Sequence, residues 1–228
     1  MRYLTRPFAV GVAGLVLAAA VVMPGAQRAY SSDDGTYITT LREAAASLPV
    51  AEEMNAGYQR TSFRHWIDED ADGCVTRSEV LQEESQAPVI SGPGCKIISG
   101  MWLSYYDGAT ISDPAKTDID HLVALKESWG SGAFAWTAQR RQAYANDLDD
   151  PRALVAVSAA QNRAKGHRDP AQWLPADVTV HCRYIAEWVA IKLRWALTAD
   201  RREFQTLNRI AAGCPDSVLG VIPAPQTA

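Results

Sequence analysis

The segments Thr117-Asp118-Ile119-Asp120-His121-Leu122-Val123-Ala124-Leu125 and Leu154-Val155-Ala156-Val157-Ser158-Ala159-Ala160-Gln161-Asn162-Arg163-Ala164-Lys165-Gly166 decide how this chain folds. The first reads as a strand carrying an Asp-His pair. The second reads as a short buried strand over 154–157 that runs into a helix over 159–165, closed by Gly166. Strand, helical insertion, strand and helix would then bring together a carboxylate (Asp120), an imidazole (His121), a carboxamide (Asn162) and an ammonium (Lys165). Carboxylate and amide oxygens are hard ligands suited to Mg²⁺ or Mn²⁺, and imidazole can accept a proton from water near neutral pH. The four groups suffice to cut a phosphodiester with one divalent metal.

Outward from this core, the spacing of Phe134, Ala138, Arg141 and Ala145 predicts a helix over 131–148. The longest helix is expected over 181–211, with an apolar stripe of Ile185, Trp188, Val189, Leu193, Leu197 and Phe204. Residues 100–106 and 117–125 read as strands, with Asp107-Gly108 as the hairpin turn between them. Upstream, helices are expected within 31–55 (Leu41, Ala44, Ala45, Leu48, Val50), over 57–66 and over 76–84. Residues 87–100 read as loop, with a short strand at 96–99.

Residues 1–29 are set apart. Arg2 and Arg6 precede an apolar run from Phe8 to Met23, and Pro24-Gly25-Ala26 and Ala29 offer small-residue cleavage positions, the pattern of an export signal. A secreted protein without stable membrane association is expected. About 200 residues would then remain, enough for one domain. The four cysteines, Cys74, Cys95, Cys182 and Cys214, allow three disulfide connectivities. Nearest-neighbour pairing is preferred because each pair brackets a local unit, and the absence of C-x-x-C spacing disfavours zinc. The formal charge of −4 argues against a tight, non-specific nucleic-acid binder and is tolerable for an enzyme whose positive charge is local.

A second motif, Asp68-Glu69-Asp70-Ala71-Asp72-Gly73 continuing to Glu79, has the D-x-D-x-D-G-x₅-E spacing of a calcium loop. Its expected ligands are Asp68, Asp70, Asp72, the Cys74 carbonyl, Thr76 through a water, and Glu79. The competing reading is an Asp-rich turn in which Thr76 and Glu79 form a capping box.

With these residues in view, the chain resembles the HNH (ββα-metal, His-Me finger) endonuclease superfamily. It is most similar to exported members carrying DHLVALKESW, YANDL, LVAVSAAQNRAKG and DPAQWLP, as this chain does from His121 and its neighbours to Pro175. The resemblance spans roughly residues 63–195. It implies an α+β, mostly helical domain over 56–215 with an embedded ββα-metal finger (core 117–175) and two disulfides, preceded by a leader and helix over 30–55 and followed by a flexible tail over 216–228. It implies His121 as general base, Asp120 and Asn162 as ligands of one Mg²⁺ or Mn²⁺, Lys165 reaching the phosphate, and Arg163 and Arg168 on the nucleic-acid backbone, in a protein acting as a monomer. The chain departs from the superfamily where Arg152-Ala153 replaces an Asn before the second strand, a role expected to pass to Asn146. It departs again at Asn162, where a His is usual and an amide favours Mg²⁺ over zinc. The alternative is a non-catalytic, calcium-stabilised secreted binding protein that keeps the finger as a scaffold.

Overall fold

A computed structural model describes residues 30–31 and 36–225; the expected export segment and residues 226–228 lie outside it. In chain order come β1 (Tyr30–Ser31), β2 (Tyr37–Thr40), α1 (Leu41–Ser47), α2 (Thr76–Glu83), β3 (Ile90–Gly92), β4 (Lys96–Ser99), β5 (Trp102–Ser104), β6 (Ala109–Ile111), β7 (Thr117–His121), α3 (Leu125–Gly130), α4 (Ala138–Ala145), β8 (Leu154–Ser158), α5 (Ala159–Lys165), α6 (His181–Arg194), α7 (Arg201–Gly213) and β9 (Val218–Val221). The fold is mixed α+β: seven α-helices and several small sheets among the described residues, with disulfides joining Cys74 to Cys95 and Cys182 to Cys214.

The centre is the antiparallel pair β7–β8, in register from Thr117 opposite Ser158 to His121 opposite Leu154. Strand β8 is buried along its whole length, which its unbroken apolar run requires. Its last residue caps the helix that follows, as Ser158 Oγ accepts from Gln161 N at 3.2 Å. Helix α5 then ends at Gly166, whose φ of 61° few other residues adopt at low cost.

Helices α6 and α7 pack with α1 and β9 on one side of this unit, over a core that includes Tyr184, Trp188, Trp195 and Leu207. The Cys182–Cys214 bridge ties the start of α6 to the end of α7. Three ion pairs in this layer are buried: Lys192 with Glu127 at 2.8 Å and Glu203 at 2.6 Å, and Arg194 with Asp147 at 2.7 Å.

The structure corrects several expectations. The stretch 181–211 is two helices, because Ala196 turns left-handed (φ 54°) and Asp200 caps a new helix by accepting from Arg202 N and Glu203 N. The Asp107-Gly108 turn joins β5 to β6, while β7 pairs with β8 across the insertion. Residues 57–66 hold only a 3-10 turn, Arg60–Ser62, and the leader contributes β2. The helix expected over 131–148 is confined to α4, after a 3-10 turn at Ala133–Ala135. In the stretch expected as a flexible tail, Val218–Val221 pairs with β2 and Ala224 is buried. Among the described residues no helix is long and apolar enough to cross a membrane.

Candidate active site

Alternation along β7 sends Asp118 and Asp120 to one face and Thr117, Ile119 and His121 to the other. Helix α5 covers the acidic face. Asn162 Nδ2 donates to Asp118 Oδ2 at 3.1 Å, and Lys165 Nζ pairs with Asp120 Oδ2 at 2.7 Å. Residues three apart on the helix thus meet residues two apart on the strand. Asp120 Oδ2 also accepts from the Tyr106 hydroxyl at 2.7 Å, and Lys165 donates a further bond to His121 O at 3.1 Å. Burial pushes the Asp120 carboxyl up, against the pull of the Lys165 ammonium.

His121 is packed between two segments far from it in sequence. Its Nε2 lies 2.9 Å from Ala145 O, which can only accept, so Nε2 carries the proton and Nδ1 the lone pair. Its ring stacks on Trp66 at 5.3 Å between centroids, and the His65 ring stands 6.3 Å away. Burial, reinforced by the charges of Arg60 and Lys165 and by His65, holds the imidazole pKa down to about 3, so the ring is neutral at neutral pH. Trp66 takes a left-handed φ of 59°, a conformation costing a side-chain-bearing residue about 1–2 kcal/mol, and its ring stacks on His121.

A cleft of about 300 Å³ is lined by Arg60, Lys126, Asn162, Arg163 and His167 among others, with neither Asp120 nor His121 in its lining. Arg60 connects the two regions: it lines the cleft, its charge reaches His121, and its Nη2 lies 3.5 Å from His65 Nε2. Lys126 Nζ donates to His167 Nε2 at 3.2 Å, and burial together with the Lys126 charge lowers the His167 pKa. Arg163 and Arg168 are exposed, and the Arg168 charge reaches His167. In a chain of net acidic charge, this cleft gathers the positive charge that the composition concealed.

Two expected roles change. Lys165, expected to reach a phosphate, is wholly buried and engaged by Asp120 and the His121 carbonyl. Asn146, 2% exposed, is a structural hub. Its Oδ1 accepts from Ile67 N (3.2 Å) and the Thr76 hydroxyl (2.9 Å), and its Nδ2 donates to Arg64 O (2.8 Å) and Gln142 O (2.7 Å). It pins the segment bearing His65 and Trp66 next to Ala145, and so positions His121 indirectly.

In the Asp-rich loop, oxygens of Asp68, Asp70 and Asp72 lie within 4.8 Å of one another. The turn is set by Gly73 N bonding Asp68 Oδ2 and Cys74 N bonding Asp72 Oδ1, with Gly73 at φ 92°. Burial, and then the charges of Asp70, Asp72 and Asp68, raise the Glu79 carboxyl. The Thr76 hydroxyl turns inward to Ile67 O and Asn146 Oδ1, which removes it from the ligand set, and no α-helix enters the loop. Arg77, from α2, donates to Pro114 O and Thr117 O and so anchors the start of β7.

Sequence reasoning missed Tyr106, Arg60, His65 and Trp66 as parts of this site. The one signal for the last three was their polar and aromatic clustering over 58–66.

Residues 80–209, more than half of the chain, match the family described as GmrSD restriction endonucleases, C-terminal domain. The chain is also 38% identical over 158 residues to an uncharacterized secreted protein of Arthroderma benhamiae, an alignment covering 69% of this chain and 76% of that protein. No solved structure matches. The matched span contains β7, β8 and α5 whole, together with the cleft residues Lys126, Asn162, Arg163 and His167. The chain therefore belongs to the family of GmrSD restriction endonuclease C-terminal domains, a nuclease family.

Proposed function

We propose that this protein is an exported, metal-dependent endonuclease of the HNH type, acting as a monomer on the phosphodiester bonds of nucleic acid, DNA foremost. The observation that carries the reading is the geometry at His121: one ring nitrogen is tied to Ala145 O, which leaves the other free to accept a proton.

The residues present fit a hard cation. Asp120 Oδ2 is engaged by Tyr106 and Lys165, which leaves Oδ1; Asn162 Nδ2 is engaged by Asp118, which leaves its carbonyl oxygen. Carboxylate and carboxamide oxygens are the donors that Mg²⁺ and Mn²⁺ prefer. When bound by Asp120 and Asn162, such an ion would supply Lewis-acid stabilisation of the charge that builds on the scissile phosphate.

The chain's own groups account for the rest. His121 Nδ1 takes a proton from the attacking water, the new oxygen–phosphorus bond forms, and the bond to the 3′ oxygen breaks. That oxygen collects a proton from solvent, leaving 5′-phosphate and 3′-hydroxyl ends. Arg60, Lys126 and Arg163 would hold neighbouring phosphates, with Arg168 on the rim. Lys165 and Tyr106 fix Asp120. The Asp-rich loop, through Asp68, Asp70, Asp72, the Cys74 carbonyl and Glu79, would take Ca²⁺ as a structural ion.

Export is supported by the signal pattern of residues 1–29, by the two disulfides and by the secreted name of the relative. Incubation of the purified protein with supercoiled plasmid tests the reading. Nicking with Mg²⁺ or Mn²⁺, its loss with EDTA, and its loss in His121→Ala with the fold retained, though at a lowered melting temperature, are expected. Undiminished cleavage by His121→Ala would refute the assignment. Absence of cleavage under every divalent metal would favour the calcium-stabilised binding protein.

A further inference from the structure

Three carboxylates from distant parts of the chain meet beside the Glu127–Lys192–Glu203 network, where Glu53 hydrogen-bonds to Glu127. Oxygens of Glu53, Asp169 and Asp200 lie within 4.8 Å of one another. Each is held by its backbone. The segment bearing Glu53 is tied down by Ala199 N to Pro49 O (2.9 Å), Ala51 N to Ala199 O (3.0 Å) and Met54 N to Gly130 O (3.0 Å). Asp169 heads a turn in which its carbonyl accepts from Gln172 N and Trp173 N, and Asp200 is the N-cap of α7.

The arrangement is costly as it stands. Asp169 is 1% exposed; its Oδ1 accepts from Ala171 N, while Oδ2 is buried with no hydrogen-bond partner. A buried carboxylate oxygen without a partner carries a desolvation penalty that some group normally offsets. Among the described residues no side-chain cation pairs directly with this cluster: Lys192, whose charge pulls on Asp169, lies between Glu127 and Glu203, and Lys126, beside Glu53, turns to His167, while Asn55 Nδ2 donates to Glu53 Oε2 at 2.6 Å. Burial, together with the charges of Glu127 and Asp200, pushes both the Glu53 and the Asp169 carboxyls up.

We infer that Glu53, Asp169 and Asp200 form a binding site for one divalent cation of the calcium type, cross-linking the N-terminal segment, the turn after α5 and the start of α7. An all-carboxylate donor set selects a hard cation. Carboxylate oxygens no more than 4.8 Å apart are within reach of a single ion, and Ca²⁺ accepts the irregular oxygen geometry of such a site more readily than Mg²⁺, which demands a near-ideal octahedron. The ion neutralises the three acids and gives Asp169 Oδ2 its missing partner. The site is separate from the Asp-rich loop and does not rest on the nuclease reading.

The test uses the full chain with the loop silenced by Asp68→Asn, Asp70→Asn and Asp72→Asn. Calcium titration by calorimetry and thermal unfolding with EDTA or CaCl₂ are then measured. The loop-silenced protein is expected to bind one Ca²⁺ and to melt higher with calcium. Adding Asp169→Asn should abolish both effects, and Glu53→Gln, at a half-buried position, should weaken binding about tenfold or more. If Asp169→Asn does not fold, Glu53→Gln gives the reading, and if the silenced loop does not fold, the intact protein should lose one equivalent of calcium on Glu53→Gln. Calcium binding and stabilisation unchanged by these substitutions, or a loop-silenced protein indifferent to calcium, would overturn the inference.

Discussion

Replacing Lys165 by Met separates a supporting role from a substrate-contacting one. The ammonium is wholly buried, 2.7 Å from an Asp120 carboxylate that is 4% exposed, and it donates to His121 O at 3.1 Å. Removing one member of a buried pair strands the other charge, at a cost of about 3–5 kcal/mol. Asp120 already has its carboxyl pushed up by burial, and losing Lys165 pushes it further. The folded variant then holds a proton that the unfolded chain releases, so its deficit grows as pH rises above the ordinary carboxylate range. Substituting Asp120→Asn as well removes the stranded charge and should recover most of the loss, while leaving the protein inactive. Urea unfolding followed by tryptophan fluorescence, disulfides intact, measures all three proteins at two pH values. A Lys165→Met protein within about 1 kcal/mol of the parent, well short of the cost of stranding a buried charge, would refute the argument. So would a double variant as unstable as the single one.

The low pKa of His121 fixes two further expectations. The acid limb of kcat/KM against pH should belong to Asp120, whose carboxyl burial pushes up and which must ionise to hold the ion, and not to His121, whose imidazole stays neutral until about pH 3; a His121 ring that titrates by NMR at an ordinary histidine value would contradict the buried tautomer. Because the folded pKa lies below the unfolded one, His121 lowers stability as pH falls from the unfolded value near 6.5, by up to about 1.4 kcal/mol per pH unit. His121→Phe should flatten that part of the stability profile. Asn146→Ala leaves Ile67 N, the Thr76 hydroxyl, Arg64 O and Gln142 O without their shared partner and should cost at least about 2 kcal/mol in urea unfolding. Its cleavage rate should fall too, because the seat of His121 loosens; parent-like stability would remove Asn146 as the hub.

The central unit was legible because its signals are local. An apolar run, a capping Ser158 and a closing Gly166 fix β8 and α5 within thirteen residues of one another, and a β-bearing Asp-His pair announces chemistry. The break between α6 and α7 was not, since Leu197 and Ala199 are buried and prolong the apolar rhythm through a stretch without Pro or Gly. The clue was Asp200, an N-cap residue inside that run. The β5–β6 hairpin was misassigned because both 109–111 and 117–121 alternate suitably after Asp107-Gly108, and only packing chooses between them. The buried pairing of Lys165 and Lys192 was not legible because their acidic partners, Asp120, Glu127 and Glu203, stand on other elements. Trp66, Arg60 and His65 reach His121 through a loop held by Asn146, a tertiary arrangement with no periodic trace.

The most direct measurement is a crystal structure of His121→Ala soaked in Mn²⁺ with a short DNA duplex, with the metal located by its anomalous scattering. The account predicts a peak bonded to Asp120 Oδ1 and the Asn162 carbonyl oxygen, with a phosphate beside Arg60 and Lys126. Manganese bound elsewhere on the protein, with that position vacant, would contradict it.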